Sequence, residues 1–162
     1  MNIVNNTIYN EEFLLEAAKV LIKKYKMIIG AAVVLFALMS IIYGITGLAS
    51  GNIAIVIIPI IGIVGVLIIG YVKVNNYKKT LLKRLQVVNH QDEVKCSYVF
   101  DDEKTVITSA NGTNTLFHKD VKKISETNNL YVIIYLGGVF SIVSKNGFVE
   151  GSEADFRKVF SL

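Results

Sequence analysis

From Met27 to Val72 the chain carries no Asp, Glu, Lys, Arg or His. A helix needs about 20 apolar residues to cross the hydrocarbon core of a bilayer, so this run is too long for one crossing. Residues Gly47 to Asn52, Gly-Leu-Ala-Ser-Gly-Asn, interrupt it with the small and polar residues of a tight turn. They leave two segments, Met27–Leu48 with 22 residues and Ile53–Val72 with 20, each long enough to span alone. A buried hairpin in a soluble protein would need a polar face on each helix, because a soluble helix buries only a stripe. Neither segment has one. The run therefore reads as a membrane α-helical hairpin, with transmembrane helices at 27–48 and 53–72.

The flanks set the orientation. Residues 1–91 hold nine basic and three acidic side chains, whereas residues 92–162 hold eight basic and ten acidic. The net charge of +4 thus belongs to the part around the apolar run. Lys23, Lys24 and Lys26 lead into the first span, Lys73, Lys78 and Lys79 leave the second, and the connecting loop is uncharged. Positive flanks stay on the cytoplasmic side. The expectation is a multi-pass protein of the bacterial cytoplasmic (inner) membrane, with both termini cytoplasmic and these six lysines as interfacial anchors. Tyr25, Tyr43, Tyr71 and Tyr77 fall near the expected interfaces. A cleaved signal peptide is a poor alternative, since the apolar run starts late and is too long for an h-region. Basic residues beside apolar spans do not make a nucleic-acid face, and the lipid bilayer is the partner the composition implies.

Within the spans, Pro59 removes one backbone donor and is expected to kink the second helix. Ser40, Gly44 and Gly47 give the first helix a small face, and Gly62, Gly65 and Gly70 thin the second. Small residues let helices approach closely in lipid. Packing of the hairpin against itself is the favoured use, with a homo-oligomer as the alternative. No ionisable group lies inside either span, which argues against a proton relay or ion pathway.

Residues 1–26 read as a short strand followed by an amphipathic helix. Asn10 is a cap, Glu11 and Glu12 favour the helix N-terminus, and Leu14, Ala18 and Leu21 recur at helical spacing. That helix lies either on the inner membrane surface or under the cytoplasmic domain. Residues 73–91 continue the second span as a basic helical stem. From residue 92 the pattern becomes alternating. Six short strands are separated by an Asp101–Glu103 turn, an Asn111–Gly112 hairpin of the type I′ kind, a turn at Thr127–Asn129, and Gly137–Gly138. Ser152 and Asp155 stand in capping-box relation ahead of a terminal helix carrying Phe156, Val159 and Phe160. Residues 92–162 thus read as a small α+β cytoplasmic domain of antiparallel strands closed by a C-terminal helix, broadly the plan of pleckstrin-homology (PH) folds.

A family resemblance attaches to two stretches, YVFDDEKTVITSANGTNTLFHKDVKKISETNNLYVIIY and FSIVSKNGFVEGSEADFRKVF. With a two-span hairpin ahead of them, and an acidic-aromatic start at Glu11-Glu12-Phe13, they resemble the YcxB-like proteins of bacteria. The resemblance implies a PH-like domain. Its motifs are turns and core positions, and it brings no catalytic residues.

Chemistry has few candidates. His90 and His118 are isolated, so no metal site is expected. Asp101, Asp102 and Glu103 lack the EF-hand pattern, Cys96 reads as a strand residue rather than a nucleophile, and one cysteine allows no intrachain disulfide. No phosphate loop, catalytic triad order or HExxH motif is present. The chain is expected to be no enzyme, with no catalytic residues and no cofactors. Lys119, Lys122 and Lys123 are the nearest approach to a lipid or partner contact, although ordinary surface lysines are the plainer reading. Three functions follow: display of a cytoplasmic PH-like domain to a protein partner, a membrane immunity or stress-protection role, and sensing of anionic lipid.

Overall fold

The computed structural model describes residues 3–89 and 93–162, with 84–89 described by their backbone. His90 and the last residues of the 73–91 stem lie outside the described residues. The chain divides into two compact units, Leu21–Lys79 and Met1–Val20 with Thr80–Leu162.

The first unit is a helical hairpin. Helix α2 runs Lys23–Ser50 and helix α3 Ile53–Asn89, so residues 73–89 continue the second apolar helix. The joint is a two-residue turn. Gly51 takes a left-handed backbone at φ 69°, the Asn52 N–H reaches back to the Gly47 carbonyl at 3.0 Å, and the Asn52 side chain accepts from Ala54 N–H at 3.2 Å. Glycine closes α2 and asparagine opens α3 by ordinary end chemistry. Three glycines bring the helices together: a Cβ at Gly47 would meet Val56 at 2.7 Å, one at Gly62 would meet Phe36 at 2.6 Å, and one at Gly70 would meet Ile29 at 2.7 Å. The small face expected along Ser40, Gly44 and Gly47 is used only at Gly47. Gly44 and Gly65 have open space beside them, and Ser40 donates to the Phe36 carbonyl in its own helix. The pairing of 29 with 70 and 36 with 62 sets Lys23, Lys24 and Lys26 at the same end of the hairpin as Lys73. From Met27 to Val72 only Gly47, Pro59 and Gly70 are buried. Leu48 is 80 % exposed, Ile58 68 % and Ile45 67 %.

The second unit contains two antiparallel sheets. Strand β1 is Ile3–Tyr9; β2 Val94–Phe100, β3 Lys104–Ser109, β4 Gly112–Phe117, β5 Val121–Glu126, β6 Leu130–Tyr135, β7 Phe140–Ser144 and β8 Phe148–Glu150 follow. One sheet has the order β4-β3-β2-β1-β8 and the other β5-β6-β7. One strand, β8, exceeds the six expected after residue 92 and the short one expected in residues 1–26. β8 is three residues long, too short to stand out by alternation. β1, set apart in the sequence by the hairpin, lies between β2 and β8, pairing Ile3 with Phe100 and Tyr9 with Val94. The sheet is therefore built from both sides of the apolar run, and residues 92–162 alone do not contain it.

The core between the sheets holds Ile3, Tyr98, Phe100, Tyr131, Ile133, Tyr135 and Val143, and helix α4 (Glu153–Val159) adds Phe156. The Phe156 ring lies 4.8 Å from Tyr131 and 5.2 Å from Phe100. The Ser152–Asp155 capping box is formed in both directions and starts α4 where its first turn meets the sheet.

Strand β1 also explains why polar side chains are buried. Asn5, Thr7 and Tyr9 share its inward row with Ile3. Tyr9 Oη accepts from Ile142 N–H at 2.9 Å, Thr7 Oγ1 accepts from Ser144 N–H at 2.8 Å, and Asn5 Nδ2 donates to the Ser144 carbonyl at 2.8 Å. Side chains of one sheet thus satisfy the free edge of the other, where a buried backbone group left unpaired is costly. Tyr9 and Tyr98 share a 2.5 Å hydrogen bond, and burial pushes the Tyr9 hydroxyl up to about 12.

Helix α1 (Glu11–Leu21) is capped by Asn10, whose side chain accepts from Phe13 N–H at 2.8 Å. Of its two expected seats, residues 11–20 take the β unit. Glu16 accepts from the Asn129 N–H and side-chain amide, both at 3.0 Å, beside the turn before β6. Leu14, Ala17 and Ala18 are buried, as are Leu130, Val132 and Ile142, which lie on the opposite face of the β6–β7 pair from the core tyrosines.

Candidate interaction surface

The residues singled out in sequence do not converge on one site. Lys119 lies in a 3-10 turn, His118–Asp120, with its ammonium 5.3 Å from the Phe117 ring centroid. Lys122 and Lys123 open β5, where the pairing slips: Val121 faces Tyr135 but Lys123 faces Ile134. Lys122 is the extra residue of a bulge, so these lysines do not sit on the plain alternating strand that was expected. All three are exposed. Asp120 lies among them. The Asp101–Glu103 turn is joined to the same corner, since His118 N–H donates to the Glu103 carbonyl at 2.8 Å. Positive and negative groups are therefore interleaved, which suits an anionic headgroup poorly.

The acidic turn is occupied with its own backbone. Asp101 Oδ1 accepts from Glu103 N–H at 2.8 Å and from Lys104 N–H at 2.7 Å, and these bonds hold its carboxyl below the usual range. Among the described residues no group of three or more His, Cys, Asp or Glu side chains is placed to hold a metal. His118 is not the exposed strand-end residue expected. It is half-buried, its Nε2 lies 2.9 Å from Thr105 Oγ1, its ring is 4.5 Å from that of Phe160, and burial lowers its pKa. Cys96 is half-buried in β2, and burial pushes its thiol up, away from an activated thiolate.

One cluster was not foreseen. Glu126 at the end of β5 accepts from Lys145 Nζ at 2.6 Å and from Arg157 Nη2 at 2.7 and 2.8 Å. Tyr131 Oη donates to Glu153 at 2.5 Å, and Lys145 and Arg157 lie 5.4 and 5.5 Å from the Tyr131 ring centroid. The group joins β5, β6, the turn after β7 and α4, and so fixes the terminal helix to the three-stranded sheet. Hydrogen bonding to Lys145, ahead of Arg157, keeps the Glu126 carboxyl below its usual range against a smaller opposing effect of desolvation. No spacing in the sequence announces it, because its members are brought together only by folding.

The sheet edges differ in how open they are. A free edge offers unpaired N–H and C=O groups to another chain, and proteins close edges with charges, bulges, short strands or covering groups. β5 has the bulge and two lysines. β8 has three residues and a register shift opposite Val4 and Asn5. β7 is met by the side chains of β1. β4, Gly112-Thr-Asn-Thr-Leu-Phe117, has six residues, no charge and no proline, and among the described residues it pairs in regular register with β3 alone. Its hairpin turn is Ala110–Asn111, with Gly112 at φ 118°. Asn111 keeps a negative φ, so the type I′ turn expected from Asn-Gly is replaced by one in which the glycine alone takes a positive value.

A family model described as YcxB-like protein matches residues 100–160, from the end of β2 to just past α4. The match contains all but Tyr98 and Val99 of the two stretches that carry the resemblance. It includes Glu126, Lys145, Glu153 and Arg157 and leaves out β1, α1 and the hairpin. No curated protein and no solved structure matches the chain.

Proposed function

We propose that this is a non-enzymatic bacterial inner-membrane protein whose hairpin crosses the bilayer twice, and whose β unit is a cytoplasmic PH-like domain that binds a protein partner. The observation that carries the reading is the contrast between the units. The hairpin presents large apolar side chains all round and buries only two glycines and a proline between Met27 and Val72. Helices α2 and α3 are both long and apolar enough to span. Exposed apolar surface on this scale marks a lipid or protein contact. The β unit, by contrast, has a buried apolar core, and its exposed large apolar side chains, such as Ile8, Phe117 and Val149, are few and scattered among the described residues. Two sheets followed by a C-terminal helix support the PH-like plan, and the lysines at one end of the hairpin support cytoplasmic termini. The interleaved acids around Lys119, Lys122 and Lys123 favour a protein partner over anionic lipid.

The test is site-specific photo-cross-linking of the full chain in its native membrane. Probes replace exposed Lys95, Lys123 and Lys158 in the β unit and exposed Leu38 and Val64 in the hairpin. A discrete protein adduct from the β positions supports the reading. Adducts from the hairpin positions alone overturn it in favour of a membrane-protection role.

A further inference from the structure

The open edge of β4 allows the partner chemistry to be named, on the reading that the β unit is an interaction domain. We propose that β4 is a self-pairing edge, joining two copies of the chain antiparallel about Asn114. In an antiparallel ladder alternate residues turn their N–H and C=O groups away from the strand already paired. On β4 those groups face outward from β3, and among the described residues no other strand pairs with them. Gly112, Thr113, Asn114, Thr115 and Phe117 are all exposed.

A second copy is the occupant that the sequence of this edge fits. A two-fold interface must be complementary to itself. Thr113-Asn114-Thr115 reads the same in both directions, so pairing centred on Asn114 sets Thr113 of each copy opposite Thr115 of the other. Facing threonines are a favourable cross-strand pair, and an uncharged strand brings no like charges into register. The same pairing sets Phe117, 46 % exposed, beside the Ala110–Asn111 turn of the other copy and takes apolar surface out of water. The result is one sheet continuous across two copies, held by main-chain hydrogen bonds. Anchoring both copies in one membrane raises their effective concentration, so a modest strand–strand affinity suffices.

The experiment uses the full chain in its native membrane with Cys96→Ser to remove the native thiol. In one variant Asn114→Cys is added, and in a control Lys122→Cys on the bulged β5 edge. Pairing about Asn114 brings the two Cα atoms to about 4.5–5.5 Å, within disulfide reach. Mild oxidation should give a covalent dimer of the Asn114→Cys chain well above the Lys122→Cys background, and dimer at background level overturns the proposal. A charge exchange gives a second reading. Thr113→Lys with Thr115→Lys should weaken dimerisation about ten-fold or more, as should Thr113→Glu with Thr115→Glu, while co-expressing the two restores it. Failure of the mixed pair to restore dimers overturns the proposal even if both variants weaken it. A disulfide from the Asn114→Cys thiol to a different protein would sink self-pairing yet leave the interaction-domain reading standing; loss of every adduct from the β unit would sink both.

Discussion

Replacing Thr7 with valine keeps the shape of a buried side chain and deletes one oxygen. In the fold that oxygen does two things: it donates to Asn5 Oδ1 at 2.7 Å and accepts from the Ser144 N–H at 2.8 Å. Thr7 is 1 % exposed and Asn5 is fully buried, so neither abandoned partner can turn to solvent. A buried polar group left without its partner costs about 1–3 kcal/mol, and two are left here. The methyl that replaces the hydroxyl returns about 0.8 kcal/mol of apolar burial. The expected net loss is about 1–5 kcal/mol, a large share of the stability of a small domain. Denaturation of the β unit should be followed in the full chain in mild detergent by near-ultraviolet circular dichroism of its buried tyrosines. The midpoint should fall for Thr7→Val with the slope unchanged. Asn6→Ala, at the exposed neighbouring position, should stay within about 0.5 kcal/mol of wild type. A Thr7→Val midpoint no lower than that of Asn6→Ala would refute the side-chain ladder as the link between the two sheets.

Other expectations follow from single contacts. A Cβ at Gly147 would clash with the Asn6 carbonyl oxygen, a backbone atom that cannot swing aside, so Gly147→Ala should lower stability by about 1–3 kcal/mol in the same denaturation assay. Glu16 has a depressed carboxyl: burial alone would raise it, but hydrogen bonds from Thr127 and Asn129 outweigh that. Its contribution is therefore present above the unfolded value of 4.5 and is lost as pH falls through the lower folded value. Hydrogen exchange of α1 should accelerate in that acidic window, and Glu16→Gln should remove the pH dependence. Glu126→Gln keeps an acceptor but weakens both cation contacts, so α4 amides should exchange faster while those of β2 do not change.

The hairpin was legible in the sequence because a charge-free apolar run too long for one helix is broken once by small and polar residues, and its turn was legible because Gly51 and Asn52 carry the end chemistry of two helices. Strands β2 to β7 were legible by alternation, and α4 by its capping box. β1 was visible as a short strand, but its central place was not. Asn5 and Thr7 point inward, so hydrophobic patterning gives the wrong weight to this strand, and its neighbours β2 and β8 come from beyond the apolar run. The Lys122 bulge stayed hidden because an extra residue in one strand is defined only by the partner it fails to match. The Glu126–Lys145–Arg157 group stayed hidden for a related reason: ion pairs between distant residues leave no local period. Cys96 and the Asp101–Glu103 turn were weighed as chemistry and turned out to serve burial and turn formation.

The proposed display of the β unit at a membrane depends on where the two ends of the hairpin lie. The most direct test is labelling of single cysteines with a membrane-impermeant maleimide, in a full-length Cys96→Ser chain expressed in intact bacterial spheroplasts. Ser50→Cys lies beside the turn between α2 and α3, and Lys158→Cys lies exposed on α4. The Ser50→Cys chain should be labelled from outside, and the Lys158→Cys chain only after lysis. Labelling of the Lys158→Cys chain in intact spheroplasts, or protection of the Ser50→Cys chain from the outside reagent, would contradict a twice-crossing hairpin with a cytoplasmic β unit.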